Sequence, residues 1–336
     1  MTEPHNFPKS LEPKLPEKRF FRVLLWVGTV SILGTVSCIP QDHFSSESDH
    51  RTTNGRGRVS TPEVSKFKKT EAATLARLLM DPRYQQMRAA GLHGQLATVT
   101  QLSRELAHTE WAAGDSNAAY CVALHPAYLM LYGLRDEETA IEFMDGVLEE
   151  LALDSVRIEA GLLLANFFAR AGQPNRAQAF ADAWAETREN ERPHVEYDHV
   201  QALLAMALGN PMSAIARLRK LHTGTSRCGV HANFDLAIAY ETLAERDSAI
   251  AAFERHLSNQ FGEERAMESF SVPYSLGRLG ELYEWKAVSD DESTRETNLK
   301  HALAAYKRLL GLWAKADVAF NARINAIQER IKILAN

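Results

Sequence analysis

Leu236-Ala-Ile-Ala-Tyr240-Glu-Thr-Leu-Ala244-Glu-Arg-Asp-Ser-Ala249-Ile-Ala-Ala-Phe253 is the stretch that decides the fold. Apolar residues recur at three- and four-residue spacing on both sides of the polar break Glu245–Ser248, which is the signature of two short helices joined by a turn. The same phrase returns along the chain. An alanine followed four residues later by a large apolar residue occurs as Ala140…Met144, Ala214…Leu218, Ala249…Phe253 and Ala302…Tyr306, with Ala177…Ala181 as a degenerate copy. Those alanines are 37, 37, 35 and 53 residues apart.

Upstream of each alanine a first helix sits at constant offset. Leu164-Ala165, Phe168, Gly172 and Ala177 repeat the order of Leu236-Ala237, Tyr240, Ala244 and Ala249. Leu279-Gly280 and Tyr283 start a further copy, but Ala302 then arrives ten residues late, so Ala287–Glu296 reads as a charged loop inserted between the two helices. Small residues at these places let paired helices approach closely, and the aromatic fills the wedge between one pair and the next. A single pair cannot bury both faces, so the copies are expected to stack. No stretch alternates long enough to predict a strand.

These features resemble the tetratricopeptide repeat (TPR) family, most closely over 229–259, then over 158–188, 195–222 and 272–313. The resemblance implies an all-α fold, a right-handed α-solenoid of TPR-like helical hairpins, covering 62–336. Pro126 falls in the first helix expected before Ala140, so that copy is irregular or begins at Pro126. Residues 62–113 read as one or two worn repeats, with Leu96, Val99, Leu102 and Leu106 as one stripe. Ile324, Ile327, Ile331 and Leu334 form the stripe of a C-terminal capping helix, with Asp317 as its N-cap. The stretch Tyr306–Ala335 is also similar to the end of repeat arrays attached to some bacterial membrane-anchored Ser/Thr kinases. This chain carries no Gly-rich phosphate loop, His-Arg-Asp or Asp-Phe-Gly, so the likeness covers layout and not catalysis.

The first sixty residues differ. Residues 1–22 are a Pro-rich basic arm, with Pro4, Pro8, Pro13 and Pro16 before Lys18, Arg19 and Arg22. Val23 to Gln41 carries no charge, and as a helix would reach about 28 Å, close to a hydrocarbon layer of about 30 Å. Its apolar centre also has the length of a signal-peptide core. Segment 23–40 is therefore expected to be a signal or anchor, and 41–61 a flexible polar tether. Basic residues before it and Asp42, Glu47 and Asp49 after it orient the N-terminus to the cytoplasm, if uncleaved, and the repeats to the periplasm or cell surface. Cys38 after Ser37 is similar to a lipoprotein processing site, with Thr35 and Val36 departing from that motif. Lipoprotein, uncleaved anchor and secretion all stay open.

Composition bounds the function. The 336 residues carry a formal net charge of −5. With 8 basic and 6 acidic residues in 1–61, the remainder holds 30 and 37. That acidity argues against a nucleic-acid partner. Three cysteines are too few for a disulfide scaffold, and Cys121 and Cys228 lie about three repeats apart. No metal motif is present: His194, Glu196 and His199 are the nearest set, but five residues turn the two histidines ~140° apart on a helix. No nucleophile elbow, P-loop or dinucleotide turn occurs, so no catalytic residue, metal or cofactor is expected.

Function is then expected to come from a surface. Carrying the family's partner-facing offsets onto matching positions implies a concave groove of Glu159, Asn166, Glu196, His199, Met206, His231, Phe234, Glu241, Tyr274, Glu281 and Glu284. Chaperone-binding relatives clamp a carboxylate there with Lys, Arg and Asn, and these positions hold no Lys or Arg. The expectation is a membrane-tethered, non-enzymatic scaffold for protein–protein interaction that takes a basic or apolar partner segment. Its alternative is a sensory or regulatory subunit of a signalling system recognising a small ligand.

Overall fold

The computed structural model describes residues 77–151, 160–186, 195–222, 228–258, 268–289 and 291–335. The chain divides into Met1–Val59, outside the described residues, and a compact unit Ser60–Asn336. The arm, segment 23–40 with Cys38, the tether and Glu159 therefore lie outside the described residues.

The described residues are helical, with no strand. The helices are α1 (Pro82–Leu92), α2 (Leu96–Ala112), α3 (Ser116–Tyr128), a π-helix (Leu129–Leu134), α4 (Glu137–Glu150), α5 (Gly161–Arg170) and α6 (Pro174–Glu186). They continue as α7 (Val195–Ala207), α8 (Pro211–His222), α9 (Cys228–Thr242), α10 (Arg246–Ser258), α11 (Glu268–Ser289), α12 (Glu292–Leu312) and α13 (Asn321–Leu334). Sequence neighbours pack as pairs: α1 on α2, α2 on α3, α5 on α6, α7 on α8, α9 on α10, and α11 on α12.

One turn is used five times. Gly94, Gly114, Gly172, Gly209 and Ala244 all have φ between 57° and 78°. In each case the next residue's N–H reaches back five residues: Gln95 to Ala90, Asp115 to Glu110, Gln173 to Phe168, Asn210 to Ala205 and Glu245 to Tyr240, at 2.8–2.9 Å. This is the Schellman closure, and left-handed backbone at its end is what glycine supplies without strain. Left-handed backbone thus accounts for the glycine at Gly172. Close approach belongs to the earlier position: a Cβ on Gly280 would sit 2.3 Å from the Tyr306 ring.

Two sequence expectations need correction, and a third resolves between its alternatives. Ala287–Glu296 is not a loop: α11 runs to Ser289, and α12 begins at Glu292 behind Asp291, whose side chain accepts from the Thr294 N–H at 3.0 Å. That cap propagates the helix back toward its partner. Asp317 does not cap α13, which follows Phe320. Its carboxylate instead accepts from the Ala97 N–H at 2.7 Å, at the start of α2, whose own preceding residue Gln95 makes no side-chain cap. At Pro126 the structure has the irregular alternative and not a helix start: α3 passes through it and runs into the π-helix. Proline has no N–H, so the Val122 carbonyl one turn earlier is released, and the Ser103 hydroxyl donates to it at 3.0 Å.

The contact of Asp317 with α2 belongs to a wider closure. The Asp317 N–H donates to the Gly94 carbonyl at 3.0 Å, and His93 Nδ1 lies 2.7 Å from the Leu312 carbonyl. Gly94 faces Ala316, Trp313 and Phe320, and a Cβ there would come within 2.9 Å of the Ala316 methyl. Gly91 lets Ser269 of α11 approach, at 2.7 Å from where its Cβ would be. Buried His125 lies 3.4 Å from both the Tyr84 hydroxyl of α1 and the Ser269 hydroxyl of α11. The last helices are therefore docked on the first. The capping stripe behaves as expected otherwise, with Ile327 buried and Ile324, Ile331 and Leu334 packed against the core.

Candidate functional site

Because the ends meet, the inner faces of α3, α5, α7, α9 and α11 come together. The π-helix widens the helical turn after Pro126 and places Tyr132 near Tyr128, their rings 6.3 Å apart. Phe270 of α11 stacks on both, at 4.6 Å from Tyr128 and 5.2 Å from Tyr132. Phe234 of α9 meets Tyr132 edge-on at 5.2 Å and Tyr274 at 5.5 Å. Such offset and T-shaped pairs add about 0.5–1.5 kcal/mol each beyond area burial.

A charged network is embedded in these rings. Arg170, at the end of α5, donates two hydrogen bonds to Asp235 at 2.5 and 2.8 Å and one to the Tyr132 hydroxyl at 3.1 Å. His199 Nε2 lies 2.7 Å from Asp235 Oδ2, the oxygen that also accepts from Arg170 Nη2. Asn166, one turn before Arg170, accepts from its Nε at 2.8 Å and from the Tyr128 hydroxyl at 3.0 Å. Side-chain exposure is 4% for Arg170 and His199 and 1% for Asp235. Burial alone would raise the Asp235 carboxyl, but Arg170 and the His199 hydrogen bond outweigh it and hold it down at about 2. Burial likewise works against the Arg170 cation, and Asp235 reverses it, leaving its pKa raised. Burial pushes Tyr132 up to about 12.

A second cluster lies where this inner face reaches the surface. Arg278 of α11 donates to Glu241 at 2.9 and 2.6 Å and also binds Glu281. Arg135 donates to Glu281 at 2.9 Å; it follows the π-helix with φ 59°, a left-handed conformation for a non-glycine residue. Burial raises the Glu241 carboxyl, opposed by Arg278. Arg323 of α13 donates to the carbonyls of Tyr132 and Gly133, the first at 3.1 Å. Burial, aided by Arg135, pushes its pKa down to about 10. Leu134, Arg135, Gly277, Glu281, Tyr306 and Arg323 are among the residues around a recess of about 340 Å³ here.

The positions expected to face a partner divide accordingly. Asn166, His199 and Phe234 converge in the interior network, with His199 and Phe234 buried. Glu284 is buried against Arg330, and Glu241 and Glu281 share Arg278. Tyr274 is half-buried under the Arg135 guanidinium, 5.8 Å from its ring centre. Met206 is half-buried and Glu196 exposed. His231 belongs to α9, but its side chain is not among those described. Sequence reading missed Arg170 and Asp235. Asp235, set in the apolar run Phe234-Asp-Leu-Ala, was a legible sign of a buried charge needing a partner.

No arrangement for nucleophilic chemistry emerges among the described residues. Cys121 is a free thiol that burial raises to about 11, away from the thiolate a nucleophile needs. No group of three His, Cys, Asp or Glu side chains among the described residues could hold a metal, and no described helix is long and apolar enough to cross a membrane. In comparisons with protein families and with curated proteins, nothing matches the chain.

Proposed function

We propose that the chain is a TPR-type right-handed helical-repeat scaffold, tethered outside the membrane by residues 23–40 or a lipidated Cys38, that recognises a protein partner without catalysing a reaction. The single observation that supports this best is the use of the interior ionisable groups. Asp235, His199, Arg170 and Asn166 bond one another, and none is presented to a cavity as a nucleophile or base. Among the inner-face positions, Glu196 is exposed and Met206 half-buried.

An acidic and an apolar side chain there suit a basic or apolar segment of a partner. The filled interior moves the expected contact from the floor of a groove to its rim. Chemical cross-linking in intact membranes, followed by identification of the captured protein, tests the reading. Glu196→Lys combined with Met206→Asp is expected to abolish capture, because it reverses the charge at Glu196 and makes the Met206 position polar. Undiminished capture by that variant would overturn the rim assignment, and absence of any captured protein would overturn the scaffold reading.

A further inference from the structure

The recess between the π-helix, α11, α12 and α13 holds unequal charges. Two guanidinium groups, of Arg135 and Arg323, line it against one carboxylate, of Glu281. That carboxylate is taken, by Arg135 and by Arg278 beside the recess. Arg323 has no carboxylate partner among the described residues. Its Nη1 is satisfied by the Tyr132 and Gly133 carbonyls. Its Nη2 has no acceptor among the described residues, and lies 3.8 Å from where a Cβ on Gly277 would project. Gly277, Ala322 and Ala326 leave about 340 Å³ open beside it, at the small end of ligand-pocket sizes.

A partly buried cation that makes no ion pair of its own, facing a recess whose one carboxylate is already engaged, can take an anion, since a charge-assisted hydrogen bond forms there with much of the desolvation already incurred. Arg135 reaches the same recess from a strained left-handed position, and such strain clusters where ligands are clamped. The π-helix that delivers it is itself a feature common at binding sites. We propose that this recess binds a small oxyanion, a phosphate or carboxylate compound, held by Arg323 and Arg135 across the seam between the π-helix and α13. The assignment is independent of the partner binding proposed above.

Isothermal titration of the full chain in non-ionic detergent and a zwitterionic buffer tests it, with inorganic phosphate and succinate as separate titrants. At least one should bind saturably at one site per chain. Phosphate alone identifies a phosphorylated ligand, and succinate alone a carboxylate. Arg323→Gln should weaken the binding about tenfold or more, the loss expected for a hydrogen bond to a charged group. Ala326→Glu, at an exposed residue lining the recess, places a carboxylate inside it and should abolish binding while the circular-dichroism melt stays cooperative. The second variant decides the matter if Arg323→Gln misfolds. Absence of saturable binding of either titrant below about 10 mM would overturn the site. So would binding that Ala326→Glu leaves unchanged.

Discussion

Replacing Asp235 by Asn removes one charge from the interior network and keeps its shape. Arg170 would then hold a cation at 4% exposure with only neutral neighbours from Asn166, Tyr132 and the new amide. Breaking a buried pair in this way costs about 3–5 kcal/mol, because the remaining charge is left uncompensated. That is a large fraction of the roughly 5–15 kcal/mol by which a folded domain exceeds its unfolded state. Arg170→Met should cost a comparable amount, softened by His199 on the Asp235 carboxylate at 2.7 Å. The double variant Arg170→Met/Asp235→Asn removes both charges together, so its cost should fall short of the sum by about 2–3 kcal/mol. Urea titration followed by circular dichroism and by tryptophan fluorescence measures all four proteins, and coincident curves license the comparison. The pH dependence carries a sign. Asp235 is held at about 2 against an ordinary 3.8, so its contribution is complete above about pH 4 and is lost as pH falls through about 2. The penalty of Asp235→Asn should therefore be constant from neutral pH to about pH 4 and shrink below it. A loss under about 1 kcal/mol, or costs additive within about 0.5 kcal/mol, would refute the buried network.

Three further outcomes follow from the turns and the closure. Asp317→Ala should cost about 1 kcal/mol by uncapping α2, and amide exchange at Ala97 should accelerate while α13 keeps its protection; a change confined to α13 would contradict the cross-chain cap. Ala244→Gly should raise stability by about 0.5–1 kcal/mol, since φ 57° strains alanine, whereas Gly209→Ala at φ 76° should lower it by about 1 kcal/mol; a melt that falls for Ala244→Gly or rises for Gly209→Ala would reject the shared turn. Burial, with a smaller contribution from Arg88, lowers His125 from 6.5 to about 3, so the folded chain keeps it neutral where the unfolded chain is protonated. Stability should fall by several kcal/mol as pH drops from about 6.5 toward 3, and His125→Gln should flatten that slope; an unchanged slope would remove His125 from the closure's acid sensitivity.

What was legible in the sequence was local. Spacing of Leu236, Ala237 and Tyr240 sets a buried helix face, and Phe168, Tyr240 and Tyr283 are all buried as the wedge reading requires. The stripe Val99, Leu102 and Leu106 is also buried. What escaped was non-local. Asp317 and Ala97 are 220 residues apart, so no periodicity reports their bond, and a capping residue just before a helical stripe is naturally assigned to the nearer helix. The loop reading of Ala287–Glu296 rested on charge and serine content, yet Asp291 with Thr294 carries a cap that starts a helix at once. Among the candidate positions, Asn166 meets His199, and Phe234 meets Tyr274. Their environment changed because α11 docks on α1 and the π-helix, so Phe234 and His199 face other helices instead of solvent.

The account turns on whether the inner face is a packed core or an open groove. Hydroxyl-radical footprinting of the intact protein, read residue by residue by mass spectrometry, measures side-chain access directly. Tyr128, Phe234 and Phe270 are 1–2% exposed, whereas Trp285 is 40% and Leu208 66% exposed. The structure predicts modification of Trp285 and Leu208 with Tyr128, Phe234 and Phe270 at background. Labelling of Phe234 and Phe270 as strong as that of Trp285 would show an open groove and contradict the closed interior.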